Sequence, residues 1–329
     1  MRMKHYLLAI AALVISMTAS AQSNNTFADE HLSLSGYLQG GYKMPDLDES
    51  SRSTFYLKRA RVSLTGKAAK EKIDYRLQVD MAGSPKICDL YFRYKPSSAF
   101  GVQVGQFKLP FAIENDIYGP TTFEFIDYSY ITTYLARNDK MYDGIASTGR
   151  DIGIQIFGGF GDNNDYQVLS YNLGIFNGTG INTEDDNDAK DIVARIILKP
   201  SKEISLSGSV MKAETIYNLS TINSNRWSLG AIYDTKGYIL RGEYAGARFK
   251  NKDVHMFYVL GGLKIQKDWM LVARYETINP SNIRNYIDRV TVGAVYKPYK
   301  FLRCQFNYAV QYGPKVHSSG LNLMLTAIF

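Results

Sequence analysis

Apolar and polar residues alternate one by one along most of this chain, in runs of eight to twelve positions that break at Gly, Pro, Asn, Asp or Ser. A period of two predicts strands with two unlike faces. In EKIDYRLQVDMAG, Ile73, Tyr75, Leu77, Val79 and Met81 share one face, and Asp74, Arg76, Gln78 and Asp80 share the other. One face suits lipid and the other suits water. The split recurs in YLKRARVSLTG, NRWSLGAIYD and FLRCQFNYAV, and about sixteen such segments follow one another between residues 32 and 329. No comparable stretch has a capped helical period, so the chain reads as all-β.

The connections alternate in length. GKAAKE, PSSA, GFGDNN, PSK, DTKG, QKD and PYK are short. Long ones lie between them: MPDLDESSR, residues 115–149, NGTGINTEDDND, ETIYNLSTINSN, GARFKNKD, INPSNIRN and YGPKVHSSG, with AGSPK the one short link on that side. Short turns at one rim, long loops at the other and ten-residue two-faced strands are the pattern of a transmembrane antiparallel β-barrel. A sheet crossing lipid must close, because an open edge leaves backbone groups unpaired. A soluble sandwich would need a second layer over all these one-sided strands, and no linker divides the chain. The Lys-Pro steps at Lys95-Pro96, Lys199-Pro200 and Lys297-Pro298 each enter a short turn, where proline stops the ladder. The last strand ends on Phe329, a terminal aromatic suited to outer-membrane insertion.

Composition agrees. Over 329 residues, 45% are hydrophobic, 13% aromatic and 21% charged, too apolar for disorder. The only long apolar run is N-terminal: Arg2 and Lys4, an apolar stretch from Tyr6 to Ile15, then Ala19-Ser20-Ala21. That is the layout of a cleavable signal peptide over 1–21, leaving a barrel domain over 22–329. Its removal lowers the net charge from +7 to +5. Cys88 and Cys304 read as packing residues on apolar strand faces rather than a disulfide, and no Cys/His spacing suggests a metal site.

The stretches FYLKRARVSLTG, YRLQVDMA, VGQFKLPFAIE, GRDIGIQ, LGIFNGTGIN with DDNDAKDIVARI, and VTVGAVYKP resemble the phosphate-selective porin O and P family of Gram-negative outer membranes. The FNGTG step and the GQFKLPF segment are the most specific of these. The resemblance implies a sixteen-stranded channel, usually a homotrimer, passing phosphate or other small anions across the outer membrane. It implies no cofactor, no catalytic residue and no nucleic-acid partner.

An anion channel needs fixed positive charge on a wetted wall within a low-dielectric surround. Arginine serves because it stays charged and offers forked donors. Strand parity puts Arg59, Arg61, Arg76, Arg93, Arg195, Arg241, Arg274, Arg289 and Arg303 on the lumen side, against Asp74, Asp80, Asp89, Asp191, Glu243 and Glu276. Arg59 and Arg61, in the basic strand motif, are the leading candidates for anion contact.

Residues 114–149 are too long for an ordinary surface loop and follow the fifth strand. As the third long loop they are expected to fold into the pore and set its width, seated by Phe123, Phe125, Tyr128, Tyr130 and Tyr134. The loop is acidic: Glu114, Asp116, Glu124, Asp127, Asp139 and Asp143 face only Arg137 and Lys140. An acidic loop opposite a basic wall predicts a transverse field, as in a weakly selective general porin, which is the alternative to an anion-selective channel. From other classes, the alternatives are a barrel enzyme and a surface adhesin. The TEDDNDAKD run lacks calcium-loop spacing and reads as a solvated loop. His317, Ser318 and Ser319 are neighbours that point apart, so they cannot form a Ser-His pair. His255 has no evident partner. Glycine pairs such as Gly158-Gly159 lie between strands without a following helix, so no phosphate-binding loop is present. The basic residues are spread through alternating strands rather than gathered in a nucleic-acid patch.

Overall fold

The computed structural model describes residues 32–45, 52–137, 148–163, 166–185, 187–217, 220–249, 252–265, 268–280, 286–314 and 316–329. The segment 1–21 expected to be a signal peptide, together with Asp139, Lys140 and Asp143 of the long loop, lies outside the described residues. The first strands are β1 (Leu32–Pro45), β2 (Thr54–Ala68), β3 (Ile73–Asp80), β4 (Lys86–Tyr94), β5 (Gly101–Lys108), β6 (Arg150–Asn163), β7 (Tyr166–Phe176), β8 (Asp191–Leu198) and β9 (Ile204–Lys212). After a small hairpin, β10 (Glu214–Tyr217) and β11 (Ser220–Asn223), come β12 (Arg226–Asp234), β13 (Tyr238–Phe249), β14 (Lys252–Lys264), β15 (Trp269–Pro280), β16 (Ile287–Tyr299), β17 (Leu302–Gly313) and β18 (Val316–Ile328).

Sixteen of these strands form one closed antiparallel barrel; β9 pairs with β12 across the hairpin, and β18 pairs with β1. Closure is completed by the last residue. The Gly36 amide donates to the Phe329 carbonyl at 2.8 Å, and the Phe329 amide donates back to the Gly36 carbonyl at 3.0 Å. Closure leaves the barrel itself no unpaired edge. Among the described residues no helix is long and apolar enough to cross a membrane. Strands do the crossing.

The burial pattern is inverted relative to a water-soluble protein. Leu38, Leu57, Phe92, Val104, Ile196, Val210, Leu229, Leu240, Val259 and Leu325 are exposed, whereas Arg61, Gln103, Arg195, Arg241, Arg274, Glu276 and Gln305 are buried. Alternate residues of the same strands thus face lipid and lumen. At the short-turn rim the outward residues become aromatic: Tyr94, Phe100, Phe160, Tyr233, Tyr238, Trp269, Tyr299, Phe301 and Phe329 are all exposed there. Such a girdle marks the membrane–water boundary. An outward Leu229, 61% exposed at mid-strand, gives a direct test. Leu229→Arg is expected to cost about 2–4 kcal/mol, read as a lower temperature for loss of the folded band on unheated SDS gels. An unchanged temperature would mean that protein rather than lipid covers this face.

Several expectations need correction. GARFKNKD and YGPKVHSSG are mostly strand: β13 runs to Phe249 with β14 starting at Lys252, and β17 runs to Gly313 with β18 starting at Val316. ETIYNLSTINSN contains the β10–β11 hairpin rather than an open loop. Cys88 sits where the β3–β4 register shifts, Gln78 pairing with Asp89 and Val79 with Ile87, so it is a fully buried bulge residue rather than one on the lipid face. Both cysteines are free. His255 has a partner, since its Nδ1 lies 2.9 Å from the Tyr244 hydroxyl and the rings stack.

The segment after β5 turns inward. It contains one helical turn, α1 (Ile113–Asp116), and a π-helical turn at Ile131–Ala136. Phe111, Phe123, Phe125, Tyr128, Tyr130, Ile131 and Leu135 form a cluster with Val193, Met211, Ala245, Met256, Tyr258, Leu260 and Val272. The loop therefore sits on an apolar sector of the inner wall built by β8, β9 and β13–β15. In β14 both faces are apolar, with Phe257 and Val259 outside and Met256, Tyr258 and Leu260 inside. The two ends of the loop are tied together. The Leu109 amide donates to the Gly149 carbonyl at 2.9 Å, and Asn115 Nδ2 donates to the Leu109 and Gly149 carbonyls at 2.9 and 3.0 Å. Gly149 has φ 73°, and a Cβ there would lie 1.9 Å from Asn115 Oδ1, so only glycine fits this closure.

Candidate functional site

The loop crosses the lumen and is fastened by charged wall residues. Arg241 Nη2 bonds Glu124 at 2.6 Å, lies 3.7 Å from Glu114, and its guanidinium carbon is 3.9 Å from the Tyr118 ring centre. Arg274 pairs with Glu276 at 2.9 Å, approaches Glu114 at 3.8 Å and donates to the Asp127 carbonyl at 3.1 Å. Arg289 pairs with Glu276 at 2.6 Å and donates to the Tyr128 carbonyl at 3.1 Å. Arg303 donates to the carbonyls of Thr121 at 2.9 Å and Thr122 at 3.4 Å. Arg195 grips Asp116 with both Nη atoms, Nη2 at 2.7 Å from Oδ2.

Wall acids and amides cap the loop's backbone in turn. The amides of Ile113, Tyr130 and Ile126 donate to Glu243 at 3.0 Å, Glu276 at 2.6 Å and Asn307 at 2.8 Å. Gln39 Nε2 donates to the Pro120 carbonyl at 3.1 Å, and Gln305 Nε2 to the Glu124 carbonyl at 2.9 Å. A buried loop would otherwise strand these polar groups.

The remaining loop acid, Asp127, meets Lys58 at 2.5 Å. Lys58 also donates to the Ile126 carbonyl at 2.7 Å. All four described constriction-loop acids, Glu114, Asp116, Glu124 and Asp127, are thus matched by wall cations. Among the described residues, the loop's acidic charge is engaged in holding it to the wall. Arg137 of the loop donates to the Thr148 carbonyl at 3.0 Å and packs near the Tyr128 ring.

On the opposite side, β1–β7 leave a gap of about 460 Å³ between the wall and loop residues 116–121. Arg61, Arg76, Arg93, Lys108 and Arg150 border it, with Asp89, Asp116, Gln78, Gln103 and Gln155. Here too most charges are braced. Arg61 pairs with Asp80 at 2.8 Å, Arg93 with Asp74 at 2.9 Å, and Arg76 lies 3.6 Å from Asp89, which Arg150 holds at 2.6 Å. The difference lies in exposure. Arg76 and Arg93 keep 35% and 37% of their side chains open, against 5% for Arg61 and 2% for Arg150. Arg59 bonds Gln39 Oε1 at 2.8 Å and has no carboxylate within ion-pair distance among the described residues.

All nine arginines assigned by parity lie on the lumen side, yet they serve different ends. Arg195, Arg241, Arg274, Arg289 and Arg303 hold the loop; Arg59, Arg61, Arg76 and Arg93 belong to the opposite wall. Lys58, Arg150 and Arg226 are inward as well. A bulge pairs Gln39 with Arg59 and Gly40 with Leu57, so the extra residue Lys58 turns inward beside Arg59. Arg150 opens β6 directly after the positive-φ Gly149, where alternation has not yet begun. Arg226 shares parity with the inward Ser228, and it donates to the Leu135 carbonyl.

A closed sixteen-stranded barrel with a lipid-facing exterior, a charged lumen and an inward constriction loop is an outer-membrane porin, a channel rather than an enzyme. A profile of the family described as phosphate-selective porin O and P matches residues 35–203, and the chain belongs to that family. No curated protein sequence matches it. Among solved structures, the anion-selective porin from Comamonas acidovorans is similar with a TM-score of 0.73 at 14% identity, covering 91% of this chain and 99% of that one. OmpF of Salmonella typhi, solved with daunomycin, gives 0.65 at 11% identity, covering 91% and 97%. OmpT of Vibrio cholerae, solved in a trimer form, gives 0.63 at 12% identity, covering 91% and 99%. At these identities the shared property is the fold.

Proposed function

We propose that this porin passes small hydrophilic anions, phosphate among them, from the exterior to the periplasm. The observation that carries the reading is the neutralised loop. With its described acids matched to wall cations, the field in the open gap is set by the opposite wall, where Arg76 and Arg93 remain wetted and Arg59 lacks a carboxylate partner. Guanidinium groups in a low-dielectric surround raise the local anion concentration and offer forked donors to tetrahedral oxyanions. The family's description and the anion-selective porin among the similar structures support the same direction. In this reading Arg59, Arg61, Arg76 and Arg93 line the anion pathway, and Glu114, Asp116, Glu124, Asp127 and Arg137 shape the constriction. Residues 1–21 direct export and are removed, and the mature chain inserts into a Gram-negative outer membrane as a homotrimer, the arrangement in which the Vibrio cholerae OmpT was solved.

Planar-bilayer recording in a KCl gradient tests this. The expected reversal potential has the sign of chloride permeation. A zero potential would indicate an unselective porin, and the opposite sign would overturn the reading.

A further inference from the structure

The gap between the wall and the loop carries more than charge. Tyr91 of β4 and Phe157 of β6 face it as half-buried rings, an unusual surface for a water-filled channel. Tyr91 is held in place from behind: Phe107 meets it edge-on at 6.3 Å and is itself backed by Phe176 at 5.5 Å. Arg93 stands between these two rings, its guanidinium carbon 5.8 Å from the Tyr91 centre and 5.7 Å from the Phe157 centre. Its Nε is committed to Asp74, while its Nη donors have no hydrogen-bond partner among the described residues. The Tyr37 hydroxyl, at the edge of the same gap, is buried without a hydrogen-bond partner among the described residues.

We propose that this gap binds organic anions with an aromatic body, aryl phosphates and aryl carboxylates, more tightly than inorganic phosphate. The proposal rests on the anion-channel reading above and specifies its solute class. A gap of about 460 Å³ falls within the ~300–1,000 Å³ of sites that enclose drug-sized ligands, far more room than one tetrahedral ion needs. Such sites combine apolar and aromatic lining with a few placed polar groups. Here the open edge of Arg93 and the half-exposed Arg76 receive the anionic head, and Tyr91 and Phe157 receive the ring. The rings are oriented before the solute arrives, so little ordering is required on binding.

The test measures block of chloride current through the full-length protein in bilayers by methyl phosphate, phenyl phosphate and cyclohexyl phosphate, which share one head group. Phenyl phosphate is expected to block at about three- to tenfold lower concentration than methyl phosphate, the range of one aromatic contact. Tyr91→Leu with Phe157→Leu is expected to abolish that difference while leaving the chloride-to-potassium permeability ratio unchanged. Equal block by phenyl and methyl phosphate, with anion preference retained, would overturn the aryl proposal alone. Loss of anion preference in the unmodified protein would overturn the reading beneath it. Should the double variant not fold, cyclohexyl phosphate decides on the unmodified channel: block as strong as by phenyl phosphate overturns a ring-face site, and weaker block supports it.

Discussion

Arg241→Ala is expected to cost about 3–5 kcal/mol of barrel stability, the usual penalty for removing one partner of a buried ion pair, and to raise single-channel conductance. Arg241 is buried beneath the loop against Glu124, Glu114 and Tyr118. Without the guanidinium, Glu124 and Glu114 remain in a poorly solvated site, with Arg274 still 3.8 Å from Glu114 as the nearest relief. The protein can escape that cost by lifting the loop into water, which widens the pore. Arg303→Ala provides the contrast. It removes donors to backbone carbonyls but strands no carboxylate, so its cost should fall in the ~1–3 kcal/mol range of an unsatisfied polar group. Unfolding temperature on unheated gels reads the first effect, and bilayer conductance reads the second. An Arg241→Ala channel with unchanged stability and conductance would mean that the apolar seat alone holds the loop.

The strand frame was legible because lipid on one side and water on the other impose a strict alternation. Sixteen two-faced segments could be counted, and the barrel contains sixteen paired strands. What alternation hides is any local departure from it. The bulge that turns Lys58 inward shifts parity by one residue, so strict alternation would place Lys58 on the face opposite Arg59. The run MFYVLGGL in β14 was a readable signal of a strand apolar on both faces, and it marks the wall that seats the loop. The acids of the loop were legible as well, but their partners were not. Glu124 and Arg241 are 117 positions apart, and Asp116 and Arg195 are 79 apart, so local sequence has no bearing on their meeting. Counted as a net charge, the loop looked like one wall of a transverse field. Counted as pairs, its described acids are each matched by a wall cation, and the proposed reading leaves selectivity to the opposite wall.

That reassignment makes a second large effect predictable. Arg76→Gln combined with Arg93→Gln is expected to lower the chloride-to-potassium permeability ratio about three- to tenfold at low salt. Each change removes one positive charge from a wetted position, and a unit charge acting at about 4 Å is worth ~1 kcal/mol even in water-like surroundings. Removal also uncovers Asp74, the bonded partner of Arg93, whereas Asp89 keeps Arg150 at 2.6 Å. Glutamine avoids the like-charge clash that glutamate would create beside Asp74, so folding should be little disturbed. The effect should fade toward 1 M salt, where the Debye length contracts to about 3 Å and exposed charges no longer act across the gap. Neutralising Arg289 instead gives the discriminating control. It is bound to Glu276 and the Tyr128 carbonyl on the loop side, so Arg289→Gln should alter loop stability and conductance more than ion preference. If both sets shift selectivity equally, the field belongs to the whole lumen and not to the wall facing the loop. If only the first does, ion choice is made by two half-exposed arginines, and the other lumen arginines serve the architecture that leaves those two in water.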